Sequence, residues 1–182
     1  MTTRTWNFDP THSEISFTVR HMMFAKVRGR FARWTGDIDL DDQNLSGSTL
    51  DVRIDAASID THEDKRDAHL RSADFFDVDQ FPELRFTSKK VTDGGDGELR
   101  VTGDLTIHGV TREVELEVEL TGKGKDPWGG DRLGFTAKAD INRKDFGLHW
   151  NAALETGGVL VSDKVQIGID VELVRAAAAA AA

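Results

Sequence analysis

The sequence predicts an all-β protein: an extended antiparallel β-barrel of eight strands, with one helix between strands 3 and 4 and a short helical plug after strand 1. Three observations carry this expectation. Gly103 to Leu120 alternates on both sides of His108-Gly109. A two-residue turn there pairs Ile107 with Val110 and gathers both apolar series on one face. Glu113, Glu115, Glu117 and Glu119 fall on the opposite face, which must be wet, because a row of unpaired carboxylates is too costly to bury. The second observation is length: Val110 to Leu120 is 11 residues, against a usual strand of about 5–6. At about 3.3 Å per residue it reaches roughly 36 Å, or a barrel of roughly 25–30 Å at an ordinary tilt. The third is that the inward positions mix Phe and Leu with Gly36, Ala56, Gly103, Ala137 and Ala139. Small residues leave room, so a long, narrow, dry cavity suited to an extended apolar chain is expected.

The elements follow in order. Ile15, Phe17 and Val19 alternate with polar neighbours as strand 1. His21 to Ala25 is too apolar for an exposed loop and too short for a stable helix, and is read as the plug. Val27 to Asp41 is strand 2, with Trp34, Gly36, Ile38 and Leu40 on one face and bends or bulges expected at Gly29 and Gly36. Leu50, Val52, Ile54 and Ala56 make strand 3. Thr61 to Asp64 has the form of a capping box, with Thr61 as N-cap of a helix from Lys65 to Ala73. The connector after it holds Phe75, Phe76, Val78 and Phe81, which are either core beneath the helix or a lid over an opening. Strand 4 starts at Leu84, Asp93 to Gly97 is a hairpin turn, and Leu99 and Val101 lead into the central hairpin. Gly122 to Gly130 is a loop. Leu133 to Ile141 is strand 7, the stretch on to Gly158 is irregular, and Val165 to Leu173 is strand 8. Residues 1–175 form one domain, and the seven alanines at 176–182 are left without interpretation.

Composition narrows the function classes. The 182 residues carry a net charge of -9, which argues against nucleic acid and against an anionic membrane surface as partners. Cysteine is absent, so disulfides and thiolate metal sites are excluded. No window is long and apolar enough for a membrane span. The first residues carry no apolar leader, so a cytoplasmic location is expected, or a periplasmic or secreted one if a leader has been removed.

Catalytic motifs are missing. The six histidines form no HExxH and no i,i+4 pair on the helix, so no metal site is expected. No G-x-S-x-G occurs, and Ser13 beside His12 is only an adjacent pair pointing to opposite faces. The glycine-rich stretches lack the phosphate-loop and dinucleotide signatures. The expectation is therefore no catalytic residue and no catalytic cofactor. Phe17, Phe31, Trp34, Phe86 and Phe135 are the candidate aromatic wall of the cavity. Val19, Ile107, Val114, Leu116 and Ala137 supply its aliphatic lining, and Phe75, Phe76 and Phe81 its roof. Arg112 is the one charged member of the inward series of the hairpin. It either reaches water by snorkelling at the rim or anchors a ligand head group. His108 at the turn has the same two readings, and Arg71 and Arg143 are further head-group candidates beside a structural role in Arg–Asp pairing.

Several stretches in this order resemble the YceI-like proteins. They are Trp6-Asn7-Phe8-Asp9 with His12-Ser13, Phe17-Thr18-Val19-Arg20-His21-Met22, and Gly29-Arg30-Phe31. His69 to Asp77, Phe81-Pro82, Gly103 to Thr111, and Arg143 to Gly147 continue the match. The resemblance implies a lipocalin-like barrel that binds isoprenoids or similar long-chain amphiphiles in a bacterial setting. The resulting expectation is non-catalytic binding, carriage or storage of a long-chain isoprenoid or isoprenoid quinone. The alternative is an enzyme or stress-response protein acting on a similar amphiphile, such as a fatty acid or amide. The partner is a hydrophobic small molecule, and a homodimer is left open.

Overall fold

The computed structural model describes residues 5–176. Eleven strands build one antiparallel sheet: β1 (Trp6–Phe8), β2 (Glu14–His21), β3 (Ala25–Phe31), β4 (Trp34–Asp39), β5 (Thr49–Asp55), β6 (Ile59–Asp60), β7 (Glu83–Gly95), β8 (Glu98–Ile107), β9 (Val110–Lys125), β10 (Asp131–Asn142) and β11 (Lys164–Arg175). The spatial order is β4-β5-β7-β8-β9-β10-β11-β2-β3-β6, with β1 added to the edge of β11. The sheet is all-β, curled and lipocalin-like, but the expected eight strands are eleven. The alanine run lies outside the described residues except for Ala176, whose N–H donates to Thr5 O.

The difference in count has a local cause. The stretch read as one strand from Val27 to Asp41 is broken at Ala32 and Arg33. Phe31 pairs with Ile59, whereas Trp34 pairs with Ile54, so two residues on one chain face four on the other. Pairing is carried across the break by Ala32 N–H to Ser58 O, 3.0 Å, and Asp55 N–H to Arg33 O, 3.0 Å. The buried Ser58 hydroxyl accepts from Arg33 N–H at 3.0 Å and donates to Asp55 O at 2.7 Å. A bulge of this kind bends both strands and turns the sheet through a corner. The bend therefore falls at neither Gly29 nor Gly36.

Those glycines do other work, and they correct the reading of small residues as open room. A Cβ on Gly36 would sit 2.5 Å from the Phe8 ring, one on Gly29 2.3 Å from Phe17, and one on Gly103 2.5 Å from Phe86. Each gap is filled by a phenylalanine lying across the strand. Ala56 is likewise fully buried.

The central hairpin forms as expected. Ile107 pairs with Val110, and His108 and Gly109 both have positive φ, 54° and 71°, the two-residue turn that follows the strand twist. β9 runs on to Lys125, shortening the expected 122–130 loop to residues 126–130. The outer face is charge-paired rather than simply acidic: Lys89 meets Glu113 at 2.8 Å, Arg100 meets Glu115, and Lys138 meets Glu117 at 3.4 Å.

Two local expectations fail. There is no helical plug after the first long strand; residues 22–24 form an exposed turn. The helix α1 spans Asp64–Arg71, not 65–73, and its N-cap is Glu63, whose carboxylate accepts from Lys65 N–H and Arg66 N–H. Thr61 is instead buried, donating its hydroxyl and backbone N–H to Asp67 Oδ1. The glutamate wins because its longer side chain reaches two orphan amides at once.

Candidate functional site

The curled sheet encloses a cavity of about 520 Å³. Its wall is built by the alternation of each strand, which turns every second residue inward. On β11 the inward series Val165, Ile167, Ile169, Val171 and Leu173 all reach it, a run of roughly 26 Å along the strand. β8 contributes Leu99, Val101, Leu105 and Ile107, and β9 contributes Val114, Leu116 and Val118. The cavity is therefore elongated along the strands.

Phe17, Val19, Phe31 and Trp34 line this cavity, as do Phe86, Ile107, Val114, Leu116, Phe135 and Ala137. Phe75 and Phe76 close it beneath α1, with Phe76 edge-on to Phe31 at 5.9 Å. Phe81 does not belong to the wall. Its ring packs on His108 at 4.6 Å and against Gly109, where a Cβ would lie 2.6 Å from it, so it braces the hairpin turn.

The head-group candidates scatter. His108 sits under Phe81 and beside Gly147, outside the cavity. Arg112 is exposed and donates Nε–H to the backbone oxygen of Asp145 at 3.2 Å, tying β9 to the 3-10 turn at Arg143–Phe146. Arg71 does not line the cavity either. Arg143 does, but it is committed elsewhere. Its guanidinium donates to the carbonyls of Ser162 at 2.9 Å, Leu148 at 2.7 Å, Trp150 at 2.9 Å and Val161 at 3.4 Å. Burial pushes its pKa below the ordinary guanidinium value. This side chain is the peg on which the irregular 147–163 segment hangs.

Other basic residues, missed in the sequence, reach the same end of the cavity. These are Arg20 and His21 at the end of β2, and Lys65, Arg66 and His69 on α1. Among the described residues no carboxylate lines the cavity. Arg66 is held by Thr61, donating Nε–H to the hydroxyl at 2.7 Å and a terminal N–H to the carbonyl at 2.8 Å. His69 packs edge-on to Trp150 at 4.6 Å and pairs with Asp74 at 2.8 Å. The opposite end is sealed by a second core of Trp6, Leu40, Leu133 and Leu173, with Phe8, Ile38 and Leu45 packed on it. The signal for the basic end was the helical turn Lys65-Arg66 with His69 one turn on. It was hidden because α1 is polar nearly all round and offers no apolar stripe to orient it.

A separate polar cluster lies at the sealed end. Asp9, His12 and Glu172 come close enough to suggest a cation site. Arg132 already bridges it, with one terminal nitrogen 2.7 Å from Asp9 Oδ2 and 2.6 Å from Glu172 Oε1. Asp9 also accepts from Thr11 and His12. Hydrogen bonds from Thr11 and His12 hold the Asp9 carboxyl well below the usual range, and Asp9 in turn raises His12 above its ordinary value. The cluster is a satisfied ion-pair network tying the chain start to β10 and β11.

Residues 6–173 match the YceI-like domain. A "UPF0312 protein" of Vibrio campbellii is 43% identical over 135 residues, covering 74% of this chain and 71% of the relative. The crystal structure of Burkholderia cenocepacia BcnA superposes with a TM-score of 0.80 at 23% identity, covering 91% of this chain and 99% of that one. A polyisoprenoid-binding domain from Saccharophagus degradans, described as implicated in plant cell wall breakdown, superposes with a TM-score of 0.69 at 19% identity, over 96% and 100% of the two chains.

Proposed function

Because the chain belongs to the YceI-like family, we propose that its barrel binds, carries or stores a long-chain isoprenoid or isoprenoid quinone without chemistry. The observation that carries this is the elongated cavity of about 520 Å³, a volume in the usual range for a ligand site, with an interior of aliphatic and aromatic side chains. An eight-walled barrel serves this reading: the bent pairs β3–β4 and β5–β6 each count as one wall, and β1 is an added edge. The polyisoprenoid-binding description of the Saccharophagus domain, which shares the fold, supports the same class of guest. The tail lies along the strands and the head sits at the α1 end, among Arg20, His21, Lys65, Arg66 and His69. Those basic groups also favour a second guest, a fatty acid, whose carboxylate they would meet.

An enzyme would need its polar groups convergent on the guest. His108, Arg112 and Asp145 face away from the cavity, and catalysis is not part of this reading. Native mass spectrometry of the purified protein, followed by extraction and identification of the released lipid, tests the proposal. A mass increment of one prenyl lipid per chain is expected. An empty protein that takes up no added prenyl lipid overturns it, and a fatty acid increment alone selects the second guest.

A further inference from the structure

The turn between β2 and β3 presents Met22, Met23 and Phe24 to solvent, at 38%, 58% and 75% exposure. Hairpin tips are normally made of Gly, Asn, Asp or Ser, which are soluble and tolerate positive φ. Here Met22 and Met23 take positive φ, 52° and 70°, without either advantage. The strand pairing behind the tip is equally unusual. Arg20 stands directly opposite Lys26, and Arg28 opposite Thr18, at the cavity end of this strand pair. Like charges placed opposite one another weaken a sheet. From Arg20 to Arg33 the sequence holds no Asp or Glu, although the whole chain carries a net charge of -9. Arg30 and Arg33 are neutralised by Asp60 and Asp55. Arg20, Lys26 and Arg28 make no ion pair with another described residue. In the adjoining segment Asp163 faces Lys144 at 3.3 Å, leaving Glu155 as its other acid.

The tip is also joined to the cavity. Met22 N–H donates to Leu160 O at 2.8 Å, and a Cβ on Gly158 would touch Met23 at 3.1 Å. Arg20, His21, Leu160 and Val161, at the base of the tip, all line the cavity. An apolar apex backed by unpaired cations is the arrangement that enters the headgroup region of an anionic bilayer.

We propose that the Met22-Met23-Phe24 tip docks this protein on the surface of a bilayer containing anionic lipid, with Lys26 and Arg28 against the headgroups and the basic end of the cavity turned toward the membrane. The whole-chain charge argued against such a surface, but a stripe within a Debye length of the bilayer is governed by its own charges. Docking does not require the carrier reading, although together they give a guest a short path between membrane and barrel.

The test is flotation of the full chain with phosphatidylcholine vesicles with and without phosphatidylglycerol. Binding to the anionic vesicles, weakened by salt, is expected. The double variant Met23→Ser/Phe24→Ser weakens it by on the order of tenfold. Lys26→Gln and Arg28→Gln each weaken it by roughly fivefold. Trp128→Ser, which removes an 87% exposed side chain from the other end of the molecule, leaves it unchanged. No binding to either vesicle, or binding indifferent to the tip variants, overturns the proposal. So does a concentration-dependent dimer that the Met23→Ser/Phe24→Ser variant abolishes, which assigns the tip to a second copy of the chain. Uptake of prenyl lipid from detergent is measured in parallel. If it persists without vesicle binding, docking alone fails; if vesicles bind and uptake is absent, the carrier reading alone fails.

Discussion

His12 and Asp9 titrate as partners, and each shift has a sign. Asp9 raises His12 above its ordinary 6.5, so the protonated imidazole stabilises the fold fully below that value, and the contribution fades as pH rises through the folded pKa. Asp9 is depressed, so its contribution is full above the ordinary carboxylate range, near pH 4, and fades as pH falls. The stability difference between the native chain and Asp9→Asn is therefore expected to peak between about pH 4 and 6.5. Chemical denaturation across pH measures it, and NMR titration should show His12 falling back toward its ordinary pKa in the variant. A difference that stays the same below pH 4 and above the raised His12 pKa would show that the pair is broken in solution. Arg143 makes a second residue-scale prediction. Replacing it with Met leaves buried carbonyls without donors, at a cost of about 1–3 kcal/mol for each one that finds no water. Loss on the order of 3 kcal/mol in urea unfolding is expected, with early proteolysis between residues 150 and 160. Unchanged resistance in that segment would count against the peg role.

At the scale of elements, the corner between β3 and β4 shapes the barrel, and Ser58 holds it. Ser58→Ala strips Arg33 N–H of its acceptor and is expected to destabilise by about 1–3 kcal/mol, read as a drop in urea midpoint. Gly103→Ala should destabilise by a similar 1–3 kcal/mol through overpacking, because its methyl meets both the Phe86 ring and Thr87 O at 2.5 Å. Much of this level was legible. Period-two alternation located the long strands, and His108-Gly109 fixed the register of the central hairpin. The corner was legible too but went unread: Val27, Gly29 and Phe31 face inward on odd numbers, Trp34, Gly36 and Ile38 on even ones. That change of parity can only be a bulge. The plug fails because apolarity is not burial: the turn at residues 22–24 is apolar and exposed. The aromatic wall was readable since inward parity and cavity lining coincide inside a barrel. The basic residues at the α1 end were not, because the end of a strand at which a side chain emerges depends on how the ends are stacked in space. Arg112 follows the right parity at the wrong depth, and His108 belongs to the turn itself.

For the whole molecule, one sealed end and one basic end give the cavity a direction. Trp6, Leu40, Leu133 and Leu173 close the far end, so a tail that enters past α1 lies against β11 until it meets them. Each methylene it buries contributes at most about 0.8 kcal/mol, reduced by the entropy of ordering the chain. Affinity is therefore expected to climb with each added isoprene unit while the tail is shorter than the cavity, and to level off once it reaches the seal. Ala137 lines the wall, and Ala137→Trp would shorten the free path without adding charge. The plateau should then move to shorter tails, while a tail short enough to fit keeps its affinity. A ligand that binds only the folded state raises the melting temperature with its concentration, so a series of prenyl alcohols ranked by thermal shift reads the curve directly. A plateau that stays put in Ala137→Trp, or an affinity that ignores tail length in the native chain, would mean that the guest does not lie along the barrel. The head group would then be doing the binding, and the apolar interior would be ordinary core.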